Sequence, residues 1–306
     1  MSSSTNIHKK ALVDQSKVEK NISTRMTKNK INKFLFLACT LIGLLFLAAL
    51  LIDTLIKGVG HLTPSFFTNF SSSTPSQAGI KGALVGTLWL MLTIIPFSII
   101  LGVGTAIYLE EYAKKNPFTD FIKVCISNLA GVPSVVFGLL GLTIFVRGMN
   151  IQALSLGNSI LAGALTMTLL ILPVIIVAAQ EAIRAVPSSV REASYGLGAN
   201  KWQTIRKVVL PAALPGILTG FILALSRALG ETAPLILIGI PTILLRLPNS
   251  VMDQFQALPM AIYNWAKLPQ AEFQNVASAG IIVLLVILLL MNGLAIYFRN
   301  KFSKKF

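Results

Sequence analysis

The chain has 306 residues, 54% of them hydrophobic and 12% charged, where a soluble domain carries about 25% charged residues. That balance excludes most soluble enzymes. The excess of 26 Lys+Arg over 11 Asp+Glu, a net +15, fits either a polyanionic partner or the cytoplasmic flanks of membrane helices, and the placement of the charges decides between them.

Residues 1–33 form a polar, basic tail, too long and charged for a secretory signal, for which a weak attraction to anionic lipid headgroups is expected. Phe34 to Ile52 follows as 19 residues without a charge, enough to cross the ~30 Å hydrocarbon layer as a helix. With its flank it is a first transmembrane helix over residues 34–56. Further apolar spans run from Gly82 to Leu109, Val124 to Val146, Ser159 to Ala179, Gly216 to Leu237 and Val276 to Phe298. Pro96, Pro133, Pro173 and Pro234 each remove a backbone donor within a span, which lipid cannot replace but neighbouring helices or a water-lined cavity can. Gly82-xxx-Gly86 and Ala224-xxx-Ala228 are spacings that let helices approach closely. The expected fold is an all-α membrane protein, a six-helix transmembrane bundle, with residues 80–298 as its main domain.

Lys and Arg divide unequally between alternate loops. Residues 1–33 hold 8, 110–123 hold 3, 184–214 hold 5 and the end 299–306 holds 4, while the other loops share Lys57, Lys81, Arg147, Arg246 and Lys267. A 20-to-5 split puts both termini in the cytoplasm and leaves no need for nucleic acid as a partner. His8, His61, Cys39 and Cys125 form no metal-ligand spacing, so no metal or bound cofactor is expected of this chain.

Between the fourth and fifth spans lies a cytoplasmic loop, 184–214, too long for a simple helical connection. Pro187 and Ser188 give a start signal for a short helix over Val190 to Tyr195, ended by Gly196 or Gly198. Lys201 to Val209 is amphipathic, with Trp202, Ile205, Val208 and Val209 at helical spacing, and Pro211 is expected to stop it. Composition alone would suit a helix lying on the membrane surface without a partner. The order of residues is more specific: Glu192-Ala193-Ser194, three residues, Gly198, nine residues, then Val208-x-Leu210-Pro211. This resembles the EAA loop of ABC-importer permeases, E-A-A, three residues, G, nine residues, I-x-L-P, with departures at Ser194 and Val208. The resemblance implies the type I ABC importer (MetI-like) permease fold, with this loop docked on a cytoplasmic ATPase dimer through Glu192, Ala193, Gly198 and their neighbours. The chain has no G-x-x-x-x-G-K-[ST], so ATP and its Mg ion are expected on that separate partner.

The fifth span alone is charged. Arg227 and Glu231 lie four residues apart, one helical turn, and with a helix start near Gly216 Arg227 falls about 16 Å along it. A charge at mid-bilayer costs at least ~2.5 kcal/mol and faces a partner or a pathway. Two readings stand: a self-neutralising salt bridge that fixes packing, or a site where the planar guanidinium attracts an anion in transit. Gly230 and Pro234 would loosen the helix around Glu231.

The run Ser226-Arg227-Ala228-Leu229-Gly230-Glu231-Thr232-Ala233-Pro234-Leu235 is similar to a segment of phosphate-specific ABC permeases. Phe255 to Trp265 resembles the A-type subunit more than its C-type partner. The resemblance implies an inner-membrane importer of inorganic phosphate. In it this chain would pair with a C-type permease and receive substrate from an extracytoplasmic phosphate-binding protein, with ATPase-driven alternating access. A related oxyanion such as phosphonate or molybdate would suit the same arginine. An ion-coupled secondary transporter would need no docking loop, and a membrane enzyme would need a catalytic constellation that these residues do not offer. The external loop Gly239 to Ala279, with Phe255, Pro259, Tyr263, Trp265 and Pro269, reads equally as a surface for the binding protein or as interfacial anchoring by Tyr263 and Trp265.

Overall fold

The computed structural model describes residues 15–302 except 242, and among them there is helix and loop but no strand. Residues 1–14 and 303–306 of the two basic termini lie outside the described residues. The chain divides into a unit up to Asp53 and a unit from Thr54 onward. The first unit holds most of helix α1 (Gln15–Gly58), which begins inside the polar tail and runs uninterrupted through the apolar stretch. Leu45 and Phe46, like most of their apolar neighbours, are exposed, as suits a helix whose solvent is lipid.

The second unit contains α2 (Lys81–Tyr112), α3 (Pro117–Leu129), α4 (Ser134–Val146), α5 (Ile160–Arg184), α6 (Ser188–Gly196), α7 (Lys201–Gly230), α8 (Leu258–Lys267) and α9 (Ala271–Phe302). Among the described residues five helices are long and apolar enough to cross a bilayer, and the bent pair α3–α4 makes a sixth crossing if counted as one.

α5 is the centre of this unit: 15 of its 25 residues are buried. In lipid the hydrophobic effect does not drive helices together, so close backbone approach must do so, and small residues supply it. A Cβ added at Gly216 would lie 2.7 Å from Ala182 Cβ, and one at Gly220 would meet Ala178, so α7 runs antiparallel along α5. α2 approaches through Gly102 against Ile175, and α4 through Gly141 against Thr166. Hydroxyls inside these helices turn back on their own backbone: Thr87 donates to Ala83 O, Thr166 to Ala162 O and Thr168 to Ala164 O, all at 2.7 Å. Each is thereby satisfied where no water is available.

Three expectations need correction. Val124 to Val146 is not one straight span. α3 ends at Leu129 and α4 begins at Ser134 with a bend of 104°, because Pro133 excludes the helical conformation from Val132 and itself starts the next helix as its N-cap. Secondly, Pro211 does not stop the amphipathic helix. A π turn over Ile205–Val209 carries the Leu210 N–H to Ile205 O, and the α-helix resumes with Pro211 in its first turn, where a missing donor is harmless. The fifth span is therefore a helix that starts at Lys201, not near Gly216, and it breaks at Glu231, which is extended (φ −82°, ψ 126°). Thirdly, Gly82 and Gly86 admit a loop rather than a helix: a Cβ on Gly86 would meet the Gln256 backbone.

That loop is folded into the bundle. Leu161 N–H donates to Val251 O at 2.8 Å and Ile160 N–H to Asp253 O at 3.0 Å, which satisfies donors at the start of α5. Leu258 N–H donates to Thr87 Oγ1 at 2.8 Å. Phe255 is wholly buried and fills the space left by Gly163. Trp265 and Pro259 are buried too, so of the aromatic residues expected at an outer surface Tyr263 is exposed and the other two pack inward.

Candidate functional site

The loop 184–214 separates into an exposed tip and a fixed base. Glu192 and Ala193 on α6 are exposed, and Leu197 just after it is 90% exposed, a large apolar side chain left uncovered. Gly198 turns the chain with φ +82°, and a Cβ there would touch nothing within 4 Å. The requirement for glycine is thus conformational and not steric. Asn200 then caps α7 in a reciprocal box with Gln203. Ser194 joins the two helices through a 2.9 Å hydrogen bond between its hydroxyl and that of Thr204. Val208, Leu210 and Pro211 are half-buried at the base, beside the fully packed Val209.

The base is held by residues that the motif does not include. At the C-terminal end of α2 three consecutive residues hold cations from four other elements. Glu110 Oε1 accepts from Lys123 Nζ at 2.8 Å, Arg184 at 3.0 Å and Gln180 at 3.1 Å, which ties α2 to α3 and α5. Glu111 Oε1 accepts from Arg191 Nε at 3.2 Å and from its terminal nitrogen at 3.0 Å. Lys201 Nζ lies 5.0 Å over the Tyr112 ring. Arg191 also donates to Ile183 O at 2.8 Å and to Val186 O, so one guanidinium fastens α6 to the ends of both α2 and α5. The pair is well shielded, with side-chain exposures of 20% for Arg191 and 8% for Glu111. The available sequence signal was the Glu110-Glu111 pair, conspicuous in a chain with 11 acidic residues and set opposite a basic loop.

Arg227 lies in the last turn of α7, and Glu231 just beyond the helix end. The two do not share a continuous helical face, and among the described residues they form no ion pair within 4 Å. The antiparallel contacts Gly216–Ala182 and Gly220–Ala178 set the depth. Continued along the helices, they put Arg227 at the level of Ile171, roughly 17 Å from the N-terminal start of α5 at ~1.5 Å per residue. Arg227 is exposed, and so are Leu223 and Gly230 on the same side of α7. Ser226, next to it, is turned the other way and donates 2.6 Å to Asn292 Oδ1 on α9. Beyond the break, the short helix Ala233–Leu237 packs on α4, where Gly138 leaves room for Pro234 and Leu237.

Residues 98–304 match the family described as "Binding-protein-dependent transport system inner membrane component". Among curated relatives, the phosphate transport system permease protein PstA of Yersinia pestis is 34% identical over 292 residues, covering 92% of this chain and 92% of that protein. The probable ABC transporter permease protein YqgI of Bacillus subtilis (strain 168) is 33% identical over 295 residues, 92% and 98% of the two chains. Among solved structures, a chain of a bacterial alginate ABC transporter in complex with an alginate pentasaccharide-bound periplasmic protein superposes with TM-score 0.66 at 14% identity, over 92% of this chain and 98% of that one. A chain of the MetNI methionine ABC transporter superposes with TM-score 0.54 at 17% identity, over 74% and 96%. At these identities the structural matches establish the fold.

Proposed function

The chain belongs to the binding-protein-dependent transport system inner membrane component family, and from that premise we propose that it is the A-type permease of an ATP-driven importer of inorganic phosphate. It forms half of the translocation pathway; a C-type permease supplies the other half. An extracytoplasmic phosphate-binding protein delivers the anion, and a cytoplasmic ATPase dimer, which binds ATP and Mg, drives alternating access. Both termini face the cytoplasm, on the strength of the 20-to-5 charge split.

The observation that carries the substrate reading is Arg227. A guanidinium at half depth, on an uncovered face and without an ion partner among the described residues, has its charge available to an anion. An intrahelical salt bridge would have neutralised it. With the second permease packed against that face, the arginine would line a pathway between subunits, where low dielectric strengthens its attraction for an oxyanion. Glu231, half-buried just past the break, limits how tightly the anion is held and accepts a proton-bearing phosphate oxygen, which sulfate lacks. The test is phosphate and sulfate uptake by reconstituted complexes carrying Arg227→Gln or Glu231→Gln. Arg227→Gln should lower phosphate uptake at least tenfold, and Glu231→Gln should narrow the preference for phosphate over sulfate. Wild-type uptake and preference in both variants would refute the pathway role.

At the inner face, exposed Glu192, Ala193 and Leu197 enter a groove on the ATPase. Ser194, Gly198, Val208, Leu210 and Pro211 hold that tip in shape. ATPase closure then displaces α6 as a lever fastened by Arg191 to α2 and α5.

A further inference from the structure

α2 and α7 each pack on α5, α2 through Gly102 and α7 through Gly216 and Gly220, and a groove of about 370 Å³ is left between them. Ile99 and Val103 form its wall on α2, and Leu210, Leu214 and Phe221 belong to its wall on α7. Arg206 is the one charged side chain among the described residues that line it. Ile99 and Val103 are the two ends of the π turn in α2, and Arg206 lies in the π turn of α7. Both helices thus depart from α geometry where they face the groove, an irregularity frequent at functional sites.

Length, girth and charge all match a lipid. From Arg206 to Phe221 the groove follows α7 for about 22 Å at ~1.5 Å per residue, and one leaflet of a bilayer, headgroups included, is ~20–22 Å thick. Spread over that length, 370 Å³ is a mean cross-section of roughly 17 Å², against ~80 Å² for an α-helix ~10 Å across. A single hydrocarbon chain fits there and a helix of a second protein does not. The charge sits at the end next to the loop 184–214, and apolar side chains make up the rest. Arg206 and Lys207 are both exposed, and among the described residues neither has an ion-pair partner. Trp202, about one turn before Arg206, is exposed too, and tryptophan collects at the level of lipid headgroups.

We propose that this groove binds one anionic phospholipid from the leaflet on the side of the loop 184–214. An acyl chain lies between α2 and α7, and the headgroup phosphate accepts hydrogen bonds from the Arg206 guanidinium. Lys207 beside it favours a lipid of net negative charge. Left empty, the groove would deprive its lining of packing partners on one side. A flexible chain fills it at any angle between α2 and α7, which a side chain of fixed length would not. The site does not depend on which anion is transported.

The experiment uses the complete transporter in phosphatidylcholine nanodiscs doped with phosphatidylglycerol that carries a photoreactive acyl chain, and maps the labelled peptides by mass spectrometry. Labelling at exposed Leu290 and Leu294 of α9 is the internal reference for ordinary lipid contact. Relative to it, Ile99–Val103 and residues 214–221 should be labelled at least fivefold more heavily in the wild type. Arg206→Gln, at an exposed position, and Leu214→Trp, which fills the groove, should each cut that excess at least threefold and leave the reference unchanged. Groove labelling no heavier than the reference, or an excess unchanged in both variants, would overturn the site in favour of ordinary lipid contact. A groove left unlabelled while the reference is labelled would overturn it in favour of cover by the second permease. An equal excess with a phosphatidylcholine probe of the same acyl chain would overturn the preference for an anionic headgroup.

Discussion

Loss of the Arg191–Glu111 tether should uncouple ATP hydrolysis from transport. The pair is 3.0 Å long, and its side chains are 20% and 8% exposed. Charge-assisted hydrogen bonds of this kind contribute ~1.5–3 kcal/mol, and stranding one charge of a buried pair costs ~3–5 kcal/mol. In Glu111→Gln an amide oxygen replaces the carboxylate and the contacts of Arg191 to Ile183 O and Val186 O remain, so the expected loss is about 1.5–2 kcal/mol. That corresponds to roughly a 10- to 30-fold rise in local opening of α6, at ~1.4 kcal/mol per factor of ten. Arg191→Met should be worse, because Glu111 is left buried and unpaired. Arg191→Met combined with Glu111→Gln should be no worse than Arg191→Met alone, since the stranded charge is gone. Amide hydrogen exchange over Ser188–Gly196, measured in the assembled importer, reports the opening. ATP hydrolysed per phosphate imported reports the coupling, and it should rise several-fold in Glu111→Gln. Exchange and ATP-per-phosphate values equal to the wild type in that variant would refute the idea that this tether transmits force.

Gly198→Val should destabilise the loop by ~1–2 kcal/mol through the left-handed conformation alone, since nothing crowds the position. Gly198→Asn should cost less, and transport by the two variants should follow that order. Gly220→Leu should force α5 and α7 apart and cost ~1–3 kcal/mol or more, read as a lower melting temperature in detergent. Gly293→Ala, where an added Cβ meets nothing within 4 Å, is the matched control and should be neutral or slightly stabilising.

The spans were legible because lipid imposes a constraint that one sequence can express: about twenty residues without charge. The helical tip of the loop 184–214 was legible for a different reason, a proline start, a glycine turn and a fixed spacing. Breaks were not. Val124 to Val146 is as apolar as a straight helix, and a reader of hydropathy sees no 104° bend at Pro133. Pro211 failed as a stop signal because a π turn just before it shifts the hydrogen-bond register, and no residue type announces such a turn. Arg227 was singled out as a mid-span charge, but the helix start assumed for it was wrong; its depth follows from packing against α5. The aromatic residues of the outer loop misled in the opposite sense, since Phe255 and Trp265 looked like surface features and are core.

The basic surplus also takes on a second meaning. Lys123, Arg184, Arg191 and Lys201 all belong to the more basic set of loops, and each is engaged by Glu110, Glu111 or Tyr112. They brace the chain once it is folded. α2 carries that brace across the membrane, because its 32 residues extend about 48 Å at ~1.5 Å per residue. Near its N-terminal end Gly86 and Thr87 hold the loop around Gln256 and Leu258. At its C-terminal end three consecutive residues hold α3, α5, α6 and α7. Between the two ends it is not a plain rod: a π turn over Ile99–Val103 follows Pro96, and Gly102 within it presses on Ile175 of α5. A displacement at either face therefore has a continuous packed route to the other, with the π turn as the place where the two halves of α2 can pivot. In the importer proposed above, the motif residues are the proposed attachment point of the ATPase, and the few acidic residues at the end of α2 are what ties that point to α5 and α6.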